Sequence, residues 1–255
     1  MTLSDTMEGM TLFEFAEAEA ELIRKNHSAA GPYAHFAEAA TAMFSSTVTH
    51  VPRTHALFMG VYSMVRKHLL LAVLSALRQH KVQAALNLRQ AIEGAVAMLY
   101  LIAVPHPFGP EAFARDAKLP DKLNADARKW ISTTYPERSA KLKALKDDIN
   151  ENDSHSNIIN SYATFDYDSV ETGFSENLFF DRDDADVLNI SLWNIGHIAA
   201  HIVAAFAQVV TDHGGLVLTK DINERLTYLT EANERLMKDI QSKPRWKEAF
   251  QDESV

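Results

Sequence analysis

Two pairs of side chains have the types and the spacing to do chemistry. The first is Arg89 and Glu93, the only charged residues between Val82 and Val104. Four residues apart on a helix, they share one side of it. Two readings stay open. As architecture, the couple pairs internally and with a neighbouring helix, because unpaired buried charges cost several kcal/mol. As a site, the couple lines a cleft, with Glu93 as acid, base or ligand and Arg89 as an anion clamp. If the couple is buried, Glu93→Ala is expected to destabilise the fold by roughly 2–4 kcal/mol.

The second pair is His197 and His201, on one stripe with Asn194 and Gln208 in an otherwise apolar segment. At i and i+4 the two imidazoles can aim at one spot, a spacing that suits Zn²⁺, Fe or Mn. The run His-Ile-Ala-Ala-His carries no glutamate base between its histidines, which excludes the His-Glu-x-x-His protease pattern. A metal here needs a third ligand, either Glu93 or His155 in Asp153-Ser154-His155-Ser156. The alternative is a narrow polar helix face with no cofactor. The other histidines, His27, His35, His50, His55, His68, His80, His106 and His213, are scattered and receive no role. There is no Gly-x-Gly-x-x-Gly, no Walker lysine loop and no Gly-x-Ser-x-Gly elbow.

Composition narrows the classes further. The 255 residues include no cysteine, which rules out disulfides, zinc ribbons and thiolate catalysis. With 9 Gly and 8 Pro the chain is poor in turn-formers, which argues against an all-β sandwich. The net charge is −9, and it is uneven. Residues 1–50 carry 2 basic and 7 acidic groups; residues 151–186 carry 10 acids and one arginine. Residues 51–104 are the reverse, with six Lys or Arg against Glu93 alone. The acidic total weakens a general nucleic-acid-binding role, while the basic segment keeps a local one. Residues 1–10 lack the basic and apolar regions of a signal peptide, and no apolar run reaches about 18 uninterrupted residues. The expectation is a cytoplasmic protein with no membrane part.

The elements that must position these residues read as helices. Thr11–Ser28 and about Tyr33–Ser45 form two, broken at Gly31-Pro32. Residues 54–80 and 82–104 contain no Pro and form a long antiparallel pair linked at Arg78–Lys81. Shorter helices are expected at about 110–117, 121–133 and 136–149. Residues 164–180 alternate in part and suggest a small β-hairpin. Residues 183–212 form a helix stopped by His213-Gly214-Gly215, and a last helix starts near Thr219. In that last helix Ile222, Leu226, Leu229, Asn233, Leu236 and Ile240 make a heptad-like seam. It either packs on its own domain or forms a homodimer contact. The predicted fold is all-α, one helical-bundle domain over 1–255. Its core is 54–212, with N-terminal helices at 11–45 and a C-terminal helix at 219–250.

The run Asn87-Leu88-Arg89-Gln90-Ala91-Ile92-Glu93, with Tyr100 beyond it, resembles the Arg-x-x-x-Glu helix of a group of bacterial helical proteins. That group is related to the HEPN domains, and Asp153-Ser154-His155 resembles its polar segment before the final helices. The resemblance spans about 54–210, and its motifs are short and degenerate. It implies a helical bundle, often dimeric, that binds an RNA, nucleotide or protein partner, with Arg89, Glu93 and His155 at the corresponding positions; Asn194, from the polar stripe, is a further candidate binding residue. HEPN nucleases carry Arg, four to six intervening residues, then His; no arginine here is followed by histidine at that spacing. The reading is therefore a HEPN-like binding protein without RNase activity. A metal-dependent helical enzyme using His197 and His201 is the alternative.

Overall fold

The structure is a computed structural model and describes residues 11–105, 118–152, 165–166, 176–177, 180–181 and 184–244. Among these residues there are eight α-helices: α1 (Leu12–Ala30), α2 (Pro32–Ser46), α3 (Ala56–Leu77), α4 (Lys81–Ala103), α5 (Leu119–Thr134), α6 (Pro136–Asn152), α7 (Ala185–His213) and α8 (Ile222–Ser242). The fold is an all-α bundle, as predicted. All eight helices contribute to one continuous apolar core. The expected helix at 110–117 and the Asp153–Ser156 segment lie outside the described residues.

Local chemistry sets the breaks. Thr11 and Glu14 close a capping box at the start of α1. Gly31 joins α1 to α2 at φ +47, a region that disfavours any residue with a Cβ, and Pro32 then starts α2 without needing its missing N–H. The α3–α4 reversal falls at Arg78–His80, with Gln79 left-handed at φ 60. There Asp181 supplies from outside what the α4 N-terminus lacks, its carboxylate accepting from the Lys81 N–H at 2.6 Å. Between α5 and α6 the break is Tyr135 alone. Pro136 pushes the residue before it out of the helical region, and Tyr135 sits at φ −133, ψ 65.

α3 and α4 pack along their lengths as the antiparallel pair, and α7 lies against both and against α2 and α8. α7 turns much of its apolar run into the bundle: Leu192, Ile195, Ile198, Ala199, Ile202 and Phe206 are all buried. Segments 53–77 and 185–213 are each long and apolar enough, by length and composition, to cross a bilayer. Both are built into the shared core.

Two small antiparallel ladders complete the architecture. β2 (Phe165–Asp166) pairs with β3 (Glu176–Asn177), the hairpin expected near 164–180. β1 (Val48–His50) pairs with β4 (Val217–Leu218) and ties the α2–α3 connection to the α7–α8 connection. The sequence reading did not anticipate this second ladder, because segments of three and two residues show no periodicity. The apolar seam of α8 is taken up within the chain: Ile222, Leu229, Leu236 and Ile240 are buried, against α7 and α2. Leu226 of the seam is only partly buried, and Tyr228 is exposed on the same helix.

Candidate functional site

α4 places Arg89 and Glu93 on one side, as their spacing requires. Arg89 Nε lies 3.4 Å from Glu93 Oε1. A third member comes from α6: Lys146 Nζ donates to the same oxygen at 2.8 Å. The side chains of Arg89 and Glu93 are 35% and 39% exposed, so the couple is half-buried at the rim of the bundle rather than inside it. Burial alone would raise the Glu93 carboxyl, but Lys146 and then Arg89 hold it below the usual carboxylate range. Glu93 is therefore an ion-pair anchor at neutral pH, not a proton donor.

Beside this couple is a cavity of about 770 Å³ between α3, α4, α5 and α6. Its walls are aliphatic: Val61 and Met64 from α3, Val96 and Leu101 from α4, Leu123 and Ala127 from α5. Its rim is charged, with Glu93, Arg128, Lys143, Lys146 and Asp147. Lys143 and Asp147 pair with each other along α6. The α5–α6 hairpin that forms half the cavity is held from behind by rings. Trp130 meets Tyr100 of α4, Tyr135 and His213 edge-on or tilted, and Tyr135 Oη donates to Asp212 of α7 at 2.8 Å.

The histidine pair sits elsewhere. His197 and His201 have ring centroids 4.4 Å apart, nearly perpendicular, as i, i+4 spacing predicts. His197 Nδ1 donates to Asn233 Oδ1 of α8 at 3.1 Å, and Trp193 stacks on the ring while its Nε1 donates to the Asn233 carbonyl at 3.4 Å. With the Asn233 amide oxygen toward the ring, the His197 proton sits on Nδ1. Burial, then His197, Lys141 and Arg138, pushes the His201 imidazole down to about 4. Burial likewise lowers His197. Both are neutral at pH 7. Arg138 is oriented on this side by Gln208 of α7, which accepts from Arg138 Nε at 3.0 Å.

α4 and α7 pack directly against each other, and both expected halves are also met by α6. That helix sends Lys146 to α4 and sets Arg138 and Lys141 by the α7 imidazoles. Glu93 is engaged with two cations and does not join the imidazoles. Among the described residues no third ligand completes a metal group with His197 and His201. Asn194 is half-buried on α7 and is not among the cavity-lining residues. His155 lies outside the described residues.

Lys143 and Lys146 were missed because the segment around 136–149 reads as a solvated charged helix, and Arg128 because nothing in the short helix 121–133 singles it out. The signal was present: Leu142, Leu145 and Ile149 repeat at three and four, and all are buried. That stripe turns one flank of α6, with Lys146, toward the bundle. No family model matches the chain, and no curated protein or solved structure matches it either.

Proposed function

We propose that this chain is a HEPN-like binding protein without RNase activity, and that the α3–α6 cavity is where its ligand sits. The ligand class is a small amphipathic anion, with an aliphatic body and one acidic head. The observation that carries this reading is the combination of aliphatic walls and a cation-bearing rim in a cavity of about 770 Å³. That volume falls in the usual range for small-molecule sites, and such sites pair apolar walls with a few placed polar groups. Among the described lining residues there is no aromatic ring on which a base could stack. This favours an aliphatic acid over a nucleotide. The head would meet Arg128, Lys143 and Lys146, with Glu93 and Asp147 limiting the net positive charge to a single acidic group.

The metal-dependent alternative at His197 and His201 has less behind it. Its two ligands face two cations and have no third partner among the described residues.

Calorimetric titration with decanoate, adenosine monophosphate and a single-stranded RNA oligomer tests the reading. Decanoate is expected to bind saturably. Val61→Trp, which fills the cavity from a half-buried position, is expected to weaken it at least tenfold without lowering the melting temperature. Absence of decanoate binding, or equal binding by the tryptophan variant, would overturn the reading. Tighter binding of the nucleotide would move the ligand to the other class.

A further inference from the structure

We propose that His27, His35 and Glu38 form a binding site for a first-row divalent cation of the Zn²⁺ type at the α1–α2 corner. The three residues come from two helices joined only by Gly31, so their relative placement is set by the backbone. His27 lies in the last turn of α1, and His35 and Glu38 lie one turn apart in the first half of α2. Their ligand atoms all lie within 4.8 Å of one another. The Glu38 carboxylate already stands between the imidazoles: one oxygen is 2.9 Å from His27 Nε2, the other 3.7 Å from His35 Nδ1. The two rings are edge to face, with centroids 5.2 Å apart.

Tetrahedral Zn²⁺ with bonds of about 2.0–2.1 Å needs ligand atoms roughly 3.3 Å apart. The two imidazoles now meet different Glu38 oxygens, so one oxygen must turn to face both rings, and ligand atoms within 4.8 Å of one another must close to that spacing. All three side chains are partly exposed, 32% for His27, 70% for His35 and 49% for Glu38, and their rotamers can absorb that shift. Two imidazoles and one carboxylate match Zn²⁺, Co²⁺ or Ni²⁺ rather than Mg²⁺ or Ca²⁺, which prefer all-oxygen shells. The C-terminal end of α1 adds negative potential beside His27. Three protein ligands leave one tetrahedral position for water.

The site has a structural consequence. α1 buries only Leu22, Asn26 and Ala30. A cation shared between His27 and the α2 pair would clamp this lightly held helix to the core. The sequence signal was His35-x-x-Glu38, with His27 eight residues earlier across a Gly-Pro corner. Only the corner makes that spacing meaningful. The proposal does not depend on the ligand of the cavity.

The test is titration of the full chain with Zn²⁺, with Mg²⁺ as the control, followed by elemental analysis and the visible d–d spectrum of the Co²⁺ form. One Zn²⁺ per chain is expected, with a raised melting temperature. His35→Ala and Glu38→Ala are each expected to weaken Zn²⁺ at least tenfold and to remove the Co²⁺ bands. Both positions are exposed, so the metal-free melting temperature should be unchanged. The double variant His197→Ala/His201→Ala should bind as the parent does. The proposal falls if the parent shows no saturable Zn²⁺ binding, or if binding survives both corner variants. It also falls if Mg²⁺ binds as well as Zn²⁺, or if only the α7 double variant loses the metal.

Discussion

At the scale of single residues, exposure decides what the charged groups are worth. Glu93 holds Lys146 at 2.8 Å and Arg89 at 3.4 Å, yet its side chain is 39% exposed. The 2–4 kcal/mol expected of a buried couple therefore falls to about 1 kcal/mol for Glu93→Ala, the range of partly solvated ion pairs. Urea unfolding of the two proteins measures it. Because the Glu93 carboxyl is held low, its contribution is present above the ordinary carboxylate pKa of 4.5 and is lost as pH falls through the lower folded value. The parent and Glu93→Gln should then converge in stability on acidification. His201 works in the opposite chemical sense. Burial, His197, Lys141 and Arg138 lower it from 6.5 to about 4, so the unfolded chain binds the proton more tightly. Stability from this group is full above pH 6.5 and drains away as pH falls toward 4. Between pH 7.5 and 4.5 the parent should lose about 1 kcal/mol more than His201→Gln, a figure reduced for partial solvation. Equal pH slopes would show that the imidazole protonates in the folded state without penalty.

At the scale of elements, closeness of approach is what the sequence hides. The α7 helix was legible from its apolar length and its Gly214-Gly215 stop, and the α3–α4 pair from two Pro-free runs joined by a polar patch. What no periodicity displays is which faces meet. Arg89, Glu93, His197 and His201 all sit on the helices expected for them, but the approach of α6 to both pairs depends on where a hairpin folds back. Likewise β1 and β4 are more than 160 residues apart in the chain and too short to announce themselves. Gly196 shows the same point within a recognised helix. A Cβ there would stand 2.5 Å from two carbons of the Phe36 ring, which is buried in α2. Gly196→Ala gains about 1 kcal/mol of helix propensity but forces the α2–α7 seam apart, at about 1–3 kcal/mol. A net loss of up to about 2 kcal/mol is expected. Gly94→Ala is the control: its Cβ meets the Met64 methyl at 2.8 Å, the far end of a flexible chain that can swing into the cavity, and the buried Val65 Cγ2 at 3.0 Å, a smaller strain that the helix-propensity gain of about 1 kcal/mol offsets. Near-neutral stability is expected there, and thermal unfolding of the two variants side by side separates the cases.

At the scale of the whole molecule, charge distribution limits what the protein can hold. The basic segment 51–104 looked like a local nucleic-acid footprint on a chain of net charge −9. Folding disperses it. Arg78 turns back to Glu19 at 3.2 Å, and Arg89 leans on Glu93. Arg53, Arg66 and Lys67 are the exposed cations left on that segment, and Lys81, half-buried, donates its backbone N–H to Asp181. Three phosphate contacts to a single strand give a log–log salt slope no steeper than about −2. A monoanionic amphiphile held mostly by aliphatic walls should bind with a much weaker dependence, because burial of its chain is insensitive to counterions. Affinities for decanoate and for a single-stranded RNA oligomer, each measured across a salt series, distinguish the two modes. A steep RNA slope would mean that phosphates engage cations from several elements at once, Arg128, Lys143 and Lys146 among them. The rim of the cavity would then be part of a polyanion surface, and Val61→Trp, which blocks only the interior, would leave that binding intact.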